Sequence, residues 1–185
     1  ALVLENLIWT YNPILDEERK IMISLLEQAI ELRRPLPYSP RQPGSLRILA
    51  SFYEEQLNIL KASELYMRAF ELDLYALGFD DIRTMLAMER LAMFQIRYGH
   101  FKSAEELLRR KLELHQKSRY PDIYYIGRTQ AMLGWIHLQN GKIEVAERSY
   151  LAALKNINRG ITRDPNQTHT ASLPVLFDLV YLYTL

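Results

Sequence analysis

Leu49-Ala50, followed by Ala62, Tyr66 and Ala69; Leu91-Ala92, followed by Ala104, Leu108 and Lys111; Leu133-Gly134, followed by Ala146, Tyr150 and Ala153: between Leu49 and Leu154 the chain writes one pattern three times. The step is constant at 42 residues, from Ala62 to Ala104 and from Ala104 to Ala146. A fixed period of ~20–50 residues marks stacked structural repeats, and it outranks any local reading of single helices. The apolar residues inside each copy recur at steps of three and four, the helical period. Each copy is therefore a pair of helices, and each pair must bury its apolar face on the next.

The residue sizes follow from that packing. Two helices of one hairpin come close only where both offer small side chains. Ala50, Ala92 and Gly134 provide one side of the contact, and Ala62, Ala104 and Ala146 the other. Tyr66, Leu108 and Tyr150 fill the groove beside it, and Ala69 and Ala153 leave room for the following repeat. Lys111 stands where these alanines do. Its stem is expected along apolar surface with the ammonium in water, or else the stacking there is looser.

Working outward, the helices of the three repeats are expected near 45–57 and 60–77, 82–97 and 102–117, and 123–139 and 143–158. Turns fall at Leu57-Asn58, Tyr98-Gly99-His100 and Asn140-Gly141, the last two carrying the glycine that ends helices. Asp81 and Asp122 suit helix N-caps. Residues 1–33 read as a degenerate first repeat: a helix to Tyr11, a break at Asn12-Pro13, and a second helix from Asp16 with Ile21, Leu25, Ala29 and Leu32 on its apolar face. Residues 34–44 hold Pro35, Pro37, Pro40 and Pro43 and are expected to be an extended linker. The domain reading is thus 1–33, linker 34–44, three repeats over 45–158 (about 45–78, 82–117 and 123–158), and 170–185 as the first helix of a further, truncated repeat. Arg159-Gly160 is expected to end the third repeat's second helix, with a polar loop to His169, and Pro174 is tolerated in the next helix's first turn. The chain opens without Met and closes in the apolar run Val180–Leu185, which suggests a piece of a longer protein.

Composition narrows the function. The chain has 185 residues, 49% hydrophobic, with 23 basic against 22 acidic side chains and a net charge of +1. So even a balance gives no electrostatic footprint for nucleic acid or an anionic membrane. No apolar run reaches the ~18 residues that span a bilayer. There is no cysteine, hence neither a disulfide frame nor a thiolate metal site. The start lacks the basic region of a signal peptide, and a cytoplasmic, intracellular location is expected. His100, His115, His137 and His169 lack metal-helix spacing, so no metal and no cofactor are expected. The adjacent carboxylates Glu54-Glu55, Asp80-Asp81 and Glu105-Glu106 diverge by ~100° on a helix and do not form catalytic pairs. Arg109-Arg110-Lys111, with Glu105, Glu106 and Glu113 nearby, reads as surface pairing. No phosphate loop or nucleophile elbow occurs, and no enzyme is expected.

The pattern resembles the tetratricopeptide repeat, which wants Leu followed by a small residue in its first helix, Ala at the crossing, an aromatic four further on and Ala three after that. Leu49-Ala50, Ala62, Tyr66 and Ala69 match it, as do Leu133-Gly134, Ala146, Tyr150 and Ala153. The 42-residue period is similar to the kinesin light chain subtype, as are Glu71-Leu72-Asp73 and Glu113-Leu114-His115. The resemblance implies an all-α fold of αα-hairpins stacked in a right-handed superhelix, a TPR-like α-solenoid. It also implies a non-enzymatic interaction scaffold whose first helices line a concave groove for a peptide or partner segment. Carried over by register, the groove positions are Arg47, Ser51 and Glu55; Glu89, Met93 and Arg97; and Ala131, Trp135 and Gln139. Glu54, Ile96 and Leu138 border them, and Leu86 and Arg128 stand at the entrance. With Arg47, Arg97 and Arg128 around an apolar floor, the expected ligand carries an aromatic or leucine anchor and an acidic flank. Trp135 is as readily a core side chain as a groove side chain, and Met93, Met132, Tyr124 and Tyr125 also have packing roles open to them. The alternative is a sensor or self-association arm of a larger regulator, a signalling ATPase or transcription factor, packing on its own effector domain or on another copy.

Overall fold

The computed structural model describes residues 16–34, 38–117, 122–163 and 172–184. The expected helix before Tyr11, and the residues 35–37 and 164–171, lie outside them. The described residues form eight helices and no strand: α1 (Asp16–Arg33), α2 (Gln42–Glu55), α3 (Ile59–Leu77), α4 (Ile82–Arg97), α5 (Phe101–Lys117), α6 (Ile123–Gln139), α7 (Ile143–Arg163) and α8 (Leu173–Tyr183). The chain divides into two compact units, residues 1–91 and 92–185.

In the first unit α1 packs on α2 and α2 on α3. Ala50 meets the seam from α2, and Ala62 and Ala69 from α3, all fully buried. Leu46, Leu49, Tyr53, Tyr66 and Phe70 complete the core. The face that α1 buries keeps Ala29 of the expected stripe but is rotated away from Ile21 and Leu32. Met22, Leu26, Ala29, Ile30 and Arg33 point inward, whereas Ile21 and Leu32 are 58% and 57% exposed. Both stripes have helical spacing, and only the position of α2 chooses between them. The proline stretch also ends sooner than expected. Pro43 sits buried in the first turn of α2, where a missing N–H costs no hydrogen bond, so the helix starts at Gln42.

In the second unit α5 packs on α6, α6 on α7, and α7 on α8. Ala92, Ala104, Leu108, Leu133 and Ile136 form one core cluster. Leu138, Ala146, Tyr150, Ala153 and Ile157 form another with Val175, Leu179 and Leu182 of α8. A Cβ on Gly134 would fall 2.9 Å from the Tyr150 ring, which is why the small position of this copy is glycine. Gly160 corrects a second expectation. It does not end α7, which continues to Arg163. A Cβ there would lie 2.7 Å from Tyr124 Cβ, so this glycine serves close approach of α6 rather than a turn.

Three hairpin turns share one closure. His100 N–H donates to Gln95 O at 2.8 Å and Gly99 N–H to Ile96 O at 3.1 Å. Lys142 and Gly141 repeat this on His137 and Leu138, and Asn58 and Leu57 on Tyr53 and Glu54. This is the paired closure that needs a left-handed residue after the helix. Gly99 and Gly141 supply it at φ 78° and 69°, and Leu57 adopts it at φ 58°. Asn58 then caps α3 through its side chain, and Asp122 caps α6 by accepting from the Tyr124 and Tyr125 N–H groups.

Lys111 is fully buried, so its ammonium does not reach water as expected. It lies 5.7 Å from the Tyr125 ring centre, and Tyr125 stacks on His115 at 6.0 Å. The violation of the small-residue pattern is absorbed by an aromatic face that attracts a cation. The neighbouring arginines pair along the surface, Arg109 with Glu105 and Arg110 with Glu113.

His137 is buried between Ser149 Oγ at 3.4 Å and Glu105 Oε1 at 3.6 Å. Burial outweighs the Glu105 charge and lowers its pKa from the usual 6.5. The folded state then binds the His137 proton less readily than the unfolded chain. The resulting stability is present above the ordinary histidine pKa and is lost as pH falls through the lowered one. Urea titrations across that window are expected to show this fall in the wild type and a flatter one in His137→Gln. Parallel curves would remove His137 as its source.

Candidate functional site

The first unit commits its expected groove residues to internal contacts. Arg47 on α2 donates to Asp73 Oδ2 of α3 at 3.0 Å, and the Tyr38 hydroxyl donates to Asp73 Oδ1 at 3.0 Å. Burial, and then the hydrogen bond to Asp73, push the Tyr38 phenol up to about 12. Glu55 pairs with Arg19 of α1 at 3.0 Å. The Ser51 hydroxyl turns back onto the Ile48 carbonyl at 2.8 Å. Glu54 is buried and accepts from the Tyr66 hydroxyl at 3.2 Å. Glu89 is buried as well, while Leu86 stays partly exposed.

The second unit brings five of the expected residues together. Met93, Ile96 and Arg97 of α4 and Ala131 and Trp135 of α6 line one open cleft of about 410 Å³. The helical period places them there: 93, 96 and 97 share one face of α4, as 131 and 135 share one face of α6. Trp135 is partly buried, with its body packed against the α7–α8 core. Leu138 lies inside that core, Gln139 is exposed, and Arg128 sits 6.0 Å from the Tyr124 and Tyr125 rings.

Four further residues close the cleft: Met132, and Pro174, Val175 and Asp178 of α8. Periodicity gave no sign of the last three. The register rests on three copies, and α8 follows a stretch that breaks it. Asp178 is the acidic side chain of the cleft. Burial raises its pKa, and the Tyr150 hydroxyl pulls it partly back. The Tyr150 phenol is itself pushed up, by burial first and then by the Asp178 charge. Its hydroxyl is buried without a well-aligned hydrogen bond.

Among the described residues no cluster of histidine and acidic side chains has the makings of a metal site, and no helix is long and apolar enough to cross a membrane. What the cleft offers is an apolar floor, an indole and one charge of each sign, the makings of a side-chain binding site.

Comparison with protein-family models and with curated proteins finds no match. Comparison with solved structures does. BtubC (BKLC) from P. vanneervenii superposes with a TM-score of 0.71 at 18% identity over 90% of this chain, which spans 66% of that protein. The nearly identical TPR-like repeats of a Podosopora anserina kinesin light chain superpose with a TM-score of 0.62 at 17% identity, covering 98% of this chain and 93% of that one. At such identity the likeness concerns the backbone. The chain has a tetratricopeptide-like, all-α repeat-solenoid fold of the kind seen in kinesin light chain repeats.

Proposed function

We propose that the chain is a non-enzymatic scaffold that binds a short segment of another protein, and that the α4–α6–α8 cleft is where an apolar side chain of that segment enters. The observation that carries the reading is the cleft itself: Met93, Ile96, Ala131 and Trp135 gathered in one open, largely apolar depression. Soluble domains seldom leave such a depression without a use. A fold of stacked hairpins supports the same reading, since it presents helix faces in series.

The test uses labelled peptide pools with a fixed central leucine or tryptophan, followed by fluorescence anisotropy. Saturable binding is expected in the wild type. Ala131→Trp, which fills the cleft, and Trp135→Ala, which removes its wall, are each expected to weaken it about tenfold or more while melting cooperatively. Unchanged binding in both variants overturns the site.

A second reading, a self-association or domain-docking arm, is favoured by one observation. Phe177, Val180 and Tyr181 of α8 are 71%, 62% and 52% exposed on one apolar face. Light scattering of the same samples across concentration distinguishes it: growth in mass that Phe177→Asp abolishes supports it, and a strict monomer removes self-association.

A further inference from the structure

The cleft in the second unit also has an electrostatic requirement. Asp178 is held on α8 by Val175, Leu179 and Leu182, which are buried in the core on either side of it in sequence. Asp178 itself is half-buried and lines the open cleft. Burial raises its pKa, and the Tyr150 hydroxyl lowers it. Arg97, the cation of the same cleft, is exposed and already engaged within the protein. A half-buried carboxylate whose ionised form burial disfavours is stabilised by a matching positive charge brought beside it.

We propose that the cleft selects a segment carrying a lysine or arginine beside its apolar anchor, the cation meeting the Asp178 carboxylate while the anchor lies against Trp135, Met93 and Ile96. This rests on the reading of the cleft as a peptide site and adds the chemistry of the peptide. It reverses the acidic flank expected from sequence. Of the arginines expected around the groove, Arg47 is bonded to Asp73 and Arg128 lies over tyrosine rings, which leaves Arg97 as the cation that lines this cleft. A charge pair within an apolar surround selects more by what it rejects than by the net attraction it adds. An acidic residue at that place would set two carboxylates side by side.

The experiment uses three labelled peptide pools with the same central tryptophan and differing at one flanking position: lysine, norleucine or glutamate. Anisotropy titrations are run at physiological salt on the wild type, Asp178→Asn and Trp135→Ala. The wild type is expected to bind the lysine pool about tenfold more tightly than the glutamate pool, with norleucine between. Asp178→Asn is expected to bring the three pools within about twofold of one another, and Trp135→Ala to weaken all three alike. Thermal melts accompany the titrations. Asp178→Asn removes a half-buried charge that burial disfavours and is expected to melt no lower than the wild type at neutral pH, so loss of selectivity is not loss of fold. A glutamate preference, equal binding of the pools by the wild type, or a lysine preference that persists in Asp178→Asn overturns the proposal and leaves the peptide site standing. Absence of binding by every pool overturns both.

Discussion

Gly127→Ala is expected to lower the stability of the chain by about 2 kcal/mol, although alanine is the better helix former by about 1 kcal/mol. Gly127 faces α7 from α6. A Cβ there would stand 2.8 Å from Ile157 Cγ1, 2.9 Å from the Ala153 carbonyl oxygen and 2.9 Å from Ile157 N. Two of these atoms are backbone, so no rotamer change relieves the contact and α7 itself must move. The surroundings resist, because Ala153 and Ile157 are buried in the cluster that also seats α8. Packing and propensity thus have opposite signs, and the prediction is that packing wins. In a thermal melt the loss corresponds to a midpoint about 4–8 °C lower. A midpoint equal to or above the wild type would show that α6 and α7 are not held at this distance in solution. Gly160→Ala, which presses on Tyr124 from the opposite helix, serves as an independent probe of the same contact.

The second large effect is expected at Arg47. Asp73 is 1% exposed, and its carboxylate is held by the Arg47 guanidinium and the Tyr38 hydroxyl. Removing one member of a buried ion pair costs more than the pair is worth, because it strands the other charge. Arg47 keeps some contact with water, which screens part of the loss. Arg47→Met is therefore expected to cost about 2–3 kcal/mol in urea unfolding. The double variant Arg47→Met, Asp73→Asn is expected to recover more than half of this, since no uncompensated charge remains. A single variant within about 0.5 kcal/mol of the wild type would mean that the pair is not formed in solution. This outcome would also restore Arg47 as a groove residue.

The two results concern different levels of legibility. The spacing of Ala62, Ala104 and Ala146 placed all three in seams, and all three are fully buried. The asparagine and glycine turns and the Asp122 cap were equally readable, because capping chemistry is local. Gly160 was misread for the same reason. A glycine near a helix end looks like a stop, and nothing in the adjacent residues reveals Tyr124 of another helix pressing on it. The cleft was readable by half. Met93, Ile96, Arg97, Ala131 and Trp135 follow from register, whereas Pro174, Val175 and Asp178 come from a helix beyond the last regular copy.

The sequence by itself determined that this is a helical repeat, where each hairpin turns, and which small residues face one another. Those properties depend on neighbours three, four or 42 positions away, and a period displays them directly. Only the tertiary structure decided which charges remain available. Asp73 meets Arg47 and Tyr38, Lys111 meets Tyr125, and Asp178 acts on Tyr150. The separations between these partners follow no period, and the dielectric around a charge is set by whatever packs over it. Helix faces are written along the chain; the electrostatics of a cleft exist only once the helices have met.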